Sequence, residues 1–154
     1  MRISLKTDYA VRAMAQLAAE DPGIPVKADY ISRSQGIPLK FLTAILNELK
    51  LAYLVRSQRG PVGGYSLRKR PQDISLADII RAIDGPLANV HDTSLDDLGY
   101  QGPSAALAEV WMAVRASLRS VLEETSLADL VSGKLPRPVR ALAGRYRARP
   151  QPPA

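Results

Sequence analysis

Residues 57–67 read SQRGPVGGYSL, and this stretch constrains the fold more than any other. Gly60, Pro61, Gly63 and Gly64 interrupt two short alternating runs, residues 54–58 and 65–68, which reads as two strands closed by a glycine-rich hairpin. Gly63 and Gly64 are expected to supply positive φ at the return of that hairpin, and Pro61 to stiffen its outward leg. Arg59 stands where the hairpin leaves the body.

What precedes the hairpin is helical. From Lys6 to Glu20 the apolar residues Ala10, Val11, Met14, Leu17 and Ala18 recur at three and four, the mark of one buried helical face, and the pattern stops at Asp21-Pro22-Gly23. A short helix over roughly 27–35 ends at Gly36, placed for a left-handed cap. Pro38, tolerated in a first turn because its missing N–H has no partner there, opens a longer helix to about Leu51. Leu39, Leu42, Ile45, Leu46 and Leu49 are its expected buried stripe. Two helices joined by a tight Gly-containing turn form a helix-turn-helix, and a strand hairpin directly behind it makes a winged helix. The fold class is therefore mainly α with a small β-hairpin: a winged helix-turn-helix domain plus a long helix.

Downstream, Ser75-Leu-Ala-Asp78 resembles a capping box with Asp in the third position, opening a short helix that ends at Asp84-Gly85-Pro86. Residues 87–103 show no sustained period. A long helix is expected from about Ser104 to Glu124, with Leu107, Trp111, Val114, Leu118 and Val121 spaced four, three, four and three apart, a heptad-like seam. The seam could pack on the chain's own core, but a helix this long, reached after a small domain is complete, favours a dimer interface. Ser126-Leu-Ala-Asp129 caps a last short helix ending near Gly133. The organisation read from the sequence is residues 1–86 as the DNA-binding domain, 87–103 as a connecting loop, 104–133 as dimerisation helix and short terminal helix, and 134–154 as a basic, Pro-rich disordered tail.

Composition limits the chemistry. The 154 residues suffice for one core, and with one Phe and one Trp that core must be built from Leu, Ile, Val and Ala, a palette that favours helices. No signal peptide and no membrane-length apolar run is found, so a soluble, cytoplasmic protein is expected. With no cysteine the chain has no disulfide, thiolate metal site or cysteine nucleophile. Charge is partitioned: residues 1–75 carry twelve Lys/Arg and six Asp/Glu, residues 76–130 three and nine, residues 131–154 six and none. A basic first part beside an acidic middle fits a polyanion partner on one side, and also fits an unevenly charged solvated surface.

As a phosphate cradle the glycine loop fails, because Tyr65, Ser66 and Leu67 stand where a Walker motif needs Gly-Lys-Ser/Thr. As a wing it suits DNA, since an arginine such as Arg59 fits the narrow, negative minor groove of A·T-rich duplex. On the exposed face of the Pro38 helix stand Lys40, Thr43, Ala44 and Asn47. The first three lie in the half that enters a major groove, where Thr43 and Ala44 could meet thymine methyls and Lys40 a phosphate or guanine. Arg2, Lys6, Lys27, Arg33, Arg56, Arg68, Lys69 and Arg70 are further candidates for phosphate contact. Catalysis finds no support: His91, the one histidine, has no serine and carboxylate at a recognisable spacing, and His91 with Asp92, Asp96 and Asp97 reads as an acidic solvated loop before it reads as a metal site. No enzyme, cofactor or metal is expected.

The segments MRISLKTDYAVRAMAQLA, IPLKFLTAILNELKLAYLVRSQRGPVGGYSL and ISLADIIRAIDGP closely resemble the bacterial Rrf-two family of winged-helix transcription regulators, which includes the IscR, NsrR and CymR regulators. The likeness is strongest over residues 1–86 and weaker through the long helix. The resemblance implies a homodimer, held by the long helix, that binds an imperfect palindrome and regulates promoters; the leading reading of the chain is a dimeric, sequence-specific DNA-binding regulator that represses. It implies Arg59 in the minor groove, Gly60 and Pro61 shaping the wing, Lys40, Thr43 and Ala44 at the start of the recognition helix, and Ser4, Lys6 and Tyr9 at the phosphate backbone. Many members of that family hold an iron–sulfur cluster through three cysteines in the loop before the long helix; residues 87–103 here have none, so that ligand set is absent. An unknown small-molecule or protein effector is left open, with the space between the long helix and the DNA-binding domain as a candidate site and Asp8 and His91 as remote candidate ligands. The rival reading is a winged-helix module whose recognition face binds a protein.

Overall fold

A computed structural model describes residues 3–87 and 99–148. The first helix, α1 (Leu5–Ala19), starts where Ser4 caps it, the Thr7 N–H donating to Ser4 Oγ at 3.0 Å. Its inner face is Thr7, Ala10, Ala13, Met14 and Leu17, the spacing that one buried stripe requires. Helix α2 (Ala28–Gln35) ends at Gly36, whose φ of 62° and N–H bond to the Ser32 carbonyl form the left-handed cap read from the sequence. Helix α3 (Leu39–Leu51) buries Leu42, Ile45, Leu46 and Leu49 completely or nearly so. Leu39, expected in that stripe, is 43% exposed because the first turn projects beyond the core.

Strands β1 (Val55–Gln58) and β2 (Gly64–Leu67) pair antiparallel, with Val55 opposite Leu67 and Gln58 opposite Gly64. The connection before α2 adds a third, one-residue strand: the Val26 N–H donates to the Tyr65 carbonyl and the Tyr65 N–H to the Val26 carbonyl, both at 2.8 Å. Helix α4 (Leu76–Asp84) follows a single 3₁₀ turn and lies against α1 and α3. The core is one cluster drawn from α1, α2, α3, the wing base, α4 and the segments between them, with Met14, Ile31, Ile37, Leu42, Leu46, Ile74 and Ile79 fully enclosed. Each such side chain contributes about 1.5 to 3 kcal/mol of burial.

Helix α5 (Leu107–Leu122) starts later than the pattern predicts, because Gly102–Ser104 form a separate 3₁₀ turn, and it ends at Leu122 with Glu123 as its C-cap. It touches the body chiefly through α4 and has no fully buried residue. Helix α6 (Leu127–Ser132) then returns to the body and packs on α1, with Leu127 wholly inside the core cluster. The short terminal helix thus belongs to the core rather than to the long helix with which the sequence grouped it.

Disorder is the expectation from the composition of residues 134–154; those beyond 148 lie outside the described residues, and the described part departs from it. Helix α7 (Arg137–Arg147) occupies half of that segment. Two of the prolines stand where helices tolerate them, Pro136 at the N-cap and Pro138 in the first turn, and the other three lie beyond the helix. Arg145 and Arg147 in the last turn complement the helix dipole.

Candidate nucleic-acid interface

The wing is held at its base and free at its tip. At the base, the Val26 bridge and the bond from Arg56 Nε to Ser66 Oγ (2.9 Å) tie the hairpin to the domain. Gly64 runs so close to that bridge that a Cβ there would lie 2.5 Å from the Val26 carbonyl oxygen. Gly63 has no positive φ, contrary to expectation; it is required because a Cβ would sit 2.2 Å from the Gln58 carbonyl oxygen. The positive φ values fall on Gly60 (103°) and Gly64 (152°), and the Gly63 N–H closes the tip on the Gly60 carbonyl at 2.9 Å. Arg59, Gly60, Pro61 and Val62 are exposed, Val62 by 77%. Among the described residues Arg59 has neither a carboxylate nor a hydrogen-bond partner.

Beside the wing, Lys40, Thr43, Ala44 and Asn47 are all exposed on α3 and, with Leu39 and Tyr65, line one open groove. Thr43 Oγ1 donates to the Leu39 carbonyl at 2.9 Å, so its hydroxyl is engaged within the helix. Tyr65 escaped the sequence reading as a groove residue. Strand alternation carried the signal, since Ser66 is buried and its neighbour must point the other way. Phe41, the one phenylalanine, was also missed; it is 61% exposed and sits with Leu5, Lys6, Tyr9, Ala44 and Ile45 around a small apolar hollow between α1 and α3.

The N-terminal candidates are placed by internal bonds. Ser4 Oγ donates to the Asp84 carboxylate at 3.1 Å, and the Thr7 hydroxyl donates to the same carboxylate. Lys6 Nζ lies 2.7 Å from Glu48, joining α1 to α3. Tyr9 is half-buried with the Arg12 guanidinium 5.5 Å from its ring centre, and Arg12 pairs with Asp8 at 3.3 Å. Of the other phosphate candidates, Arg68 lies over the Tyr53 ring at 5.2 Å. Arg70 pairs with Asp73 at 2.8 Å, which raises the guanidinium pKa and holds the carboxyl below its ordinary value. Arg2 falls outside the described residues.

The seam residues Leu107, Trp111, Val114, Leu118 and Val121 are all half-buried. Trp111 Nε1 is covered and has no hydrogen-bond partner among the described residues. Between the end of α4 and α5 lies a cavity of about 430 Å³ bordered by Arg81, Gly85, Pro86, Leu87, Arg115 and Arg119. Arg81 and Arg119 both reach Glu123, the latter at 3.0 Å, and these bonds lower the Glu123 pKa. The candidate metal residues His91, Asp92, Asp96 and Asp97 lie outside the described residues; among those described, no three metal-ligating side chains converge. No helix among the described residues is long and apolar enough to cross a membrane.

Comparison with known proteins agrees with this geometry. Residues 3–133 match the Rrf2 family, described as an iron-dependent transcriptional regulator. A Mycobacterium tuberculosis protein named as a candidate HTH-type transcriptional regulator, Rv1287, is 55% identical over 96% of this chain and 92% of its own. The solved structure of CymR (YrzC), the global cysteine regulator of B. subtilis, superposes with a TM-score of 0.74 at 32% identity, covering 87% of this chain and 98% of that one. IscR of T. potens gives 0.64 at 30% identity over 99% and 94%. Thiolate-held iron does not fit this chain, which has no cysteine. These relatives are regulators rather than enzymes, and the chain belongs to the Rrf2 family of helix-turn-helix, DNA-binding transcriptional regulators.

Proposed function

We propose that the protein acts as a homodimer that binds an imperfect palindrome and represses the promoters it occupies. In this reading residues 1–86 read the duplex and the α5 seam joins two copies. Lys40, Thr43 and Ala44 enter the major groove, and Arg59 enters the adjacent minor groove. Ser4, Lys6 and Tyr9 set the N-terminus of α1 near the phosphates, although their internal bonds make positioning of α1 their first task. The observation that carries the reading is Arg59 itself: an arginine without a partner among the described residues, on a hairpin fixed at its base, next to an exposed helix face across one open groove. The seam supports the dimer, since a heptad-spaced apolar line on a helix that barely touches its own body is left half-covered in a single copy. An effector that changes the angle of α5 against α4 would act at the cavity bordered by Arg81, Arg115 and Arg119.

Thr43 and Ala44 cannot make a bidentate base contact, so groove shape read by the wing carries much of the specificity. Selection of bound duplexes from a random pool tests this. Two half-sites separated by about 10 to 10.5 bp or a multiple are expected. Arg59→Ala is expected to lower affinity for the selected duplex about tenfold or more, while changing stability by no more than about 0.5 kcal/mol. Equal binding by wild type and variant removes the wing from the mechanism, and failure to enrich any sequence removes the regulator reading in this form.

A further inference from the structure

The family match ends at residue 133, yet the chain goes on to form α7. The M. tuberculosis relative aligns over 96% of this chain, so its similarity runs through the same segment. At 100° per residue, Arg137, Arg140, Arg145 and Arg147 fall within an arc of about 160°, and Val139, Leu142, Ala143 and Tyr146 fall on the opposite side. Residues 131–154 contain six basic side chains and no acidic one. Among the described residues none of these four arginines has a carboxylate within salt-bridge distance. Among its described residues the segment is anchored at its start, through half-buried Leu135, Pro136 and Val139; residues 140–148 are exposed.

We infer that α7 is a DNA arm: its arginine face contacts duplex phosphates outside the bases read by α3 and the wing, raising affinity without adding sequence preference. Charge complementarity selects the partner. Four guanidinium groups crowded on one face repel one another unless a polyanion neutralises them, and Arg pairs with phosphate through two parallel hydrogen bonds. At about 1.5 Å per residue the helix spans about 16 Å, and a duplex presents one charge per about 1.7 Å of axis, so several phosphates lie within its reach. An anionic bilayer is the weaker match, because one Val, one Leu and one Tyr offer little apolar area for insertion beside so much charge. The inference rests on the DNA-binding reading above, but it concerns affinity rather than recognition.

The test uses the full-length chain carrying R137A/R140A/R145A/R147A, the corresponding four-fold Arg→Lys variant, and wild type. Each is titrated against a mixed-sequence 30-bp duplex and against the selected duplex at several salt concentrations, with circular dichroism to follow folding. Two to four phosphate contacts per protomer predict that the alanine variant flattens the slope of log affinity against log salt by about 2 to 4 per protomer. The loss should be equal on both duplexes, so the preference ratio stays the same, and the lysine variant should keep most of the slope. An unchanged slope on the mixed-sequence duplex overturns the arm, and so does a loss confined to the selected duplex. Binding of wild type to phosphatidylglycerol vesicles with no change in DNA slope also overturns it, in favour of a membrane. Absence of any preference for the selected duplex in wild type would instead sink the regulator reading, while the slope on the mixed duplex would still decide the arm.

Discussion

Ser75 and Ser126 face each other across an antiparallel backbone bridge, each opening the same tetrapeptide, Ser-Leu-Ala-Asp. The Leu76 N–H donates to the Thr125 carbonyl and the Leu127 N–H to the Ile74 carbonyl, both at 2.9 Å. Each serine also completes a capping box: Ser75 N–H reaches Asp78 at 3.0 Å and Ser126 N–H reaches Asp129 at 2.9 Å, while each serine Oγ accepts from its aspartate's N–H. Two helix starts are thereby pinned side by side. Because α5 ends three residues before Thr125, the pinning fixes the outgoing end of the long helix to the body, and the seam is presented by a strut rather than by a loose tail.

Removing the pin should therefore be costly. Ser126→Ala is expected to lose about 0.5 to 2 kcal/mol through the cap alone. Leu127→Ala, which empties a fully buried site in the shared core, should lose about 2 to 5 kcal/mol. Chemical denaturation of both variants checks the order, and a Leu127→Ala loss below that of Ser126→Ala would show that α6 is not part of the cooperative core.

The same pin makes stability depend on pH. Hydrogen bonds from Ser126 hold the Asp129 carboxyl below its ordinary pKa, and bonds from Arg81 and then Arg119 do the same for Glu123. A carboxyl whose pKa is lowered by folding binds fewer protons in the folded state. Its stabilisation is complete above the ordinary carboxylate pKa and is lost as pH falls through the lowered value. Thermal unfolding should thus drop on acidification through the carboxylate range, and Asp129→Asn should lower Tm at neutral pH while making the acid drop shallower. A parallel acid limb in the variant would remove Asp129 from the effect.

The wing makes a steric prediction. A Cβ at Gly64 would press on the Val26 carbonyl, backbone against backbone, in a conformation with φ of 152° that side chains rarely adopt. Gly64→Ala should break the Val26–Tyr65 bridge and cost about 1 to 3 kcal/mol. It should also weaken duplex binding beyond what the stability loss explains, because the hairpin loses its fixed base. Gly60→Ala, whose Cβ would meet no atom within 4 Å, should cost less than Gly64→Ala. Hydrogen exchange at the Val26 and Tyr65 amides reads the bridge directly.

Why the hairpin was legible while the role of Gly63 was misassigned follows from what each depends on. Alternation and turn residues are local, so both strands and the helix pair could be read within a residue or two. Gly63 and Gly64 answer to carbonyls of Gln58 and Val26, and the second of these lies far away in sequence, on a connection that gave no strand signal. The same holds for Ser4, Thr7 and Asp84, which meet across the whole length of the domain. The helix in the tail was hidden by composition, since a segment average weighs the three prolines beyond residue 149 equally with the periodic Val139, Leu142 and Tyr146.

The seam offers the sharpest test of assembly because Trp111, the single tryptophan, stands in the middle of it. Its ring is half-covered by its own chain, with the indole N–H enclosed and without a hydrogen-bond partner among the described residues. A second copy docked on the seam would cover the part of the ring that one copy leaves exposed. Leu118→Asp places a charge in the same line, where two copies would set the carboxylates against apolar surface and against each other. Sedimentation should show wild type at twice the chain mass and the variant at the chain mass. The domain itself should keep its helical signal, because Leu118 is only half-covered by its own chain. Diluting wild type should shift Trp111 emission to the red as the seam opens, and Leu118→Asp should already emit at the shifted position at high concentration. Wild type that sediments as a single chain, with emission independent of concentration, would leave the seam without a partner and the two-fold docking on DNA without its basis.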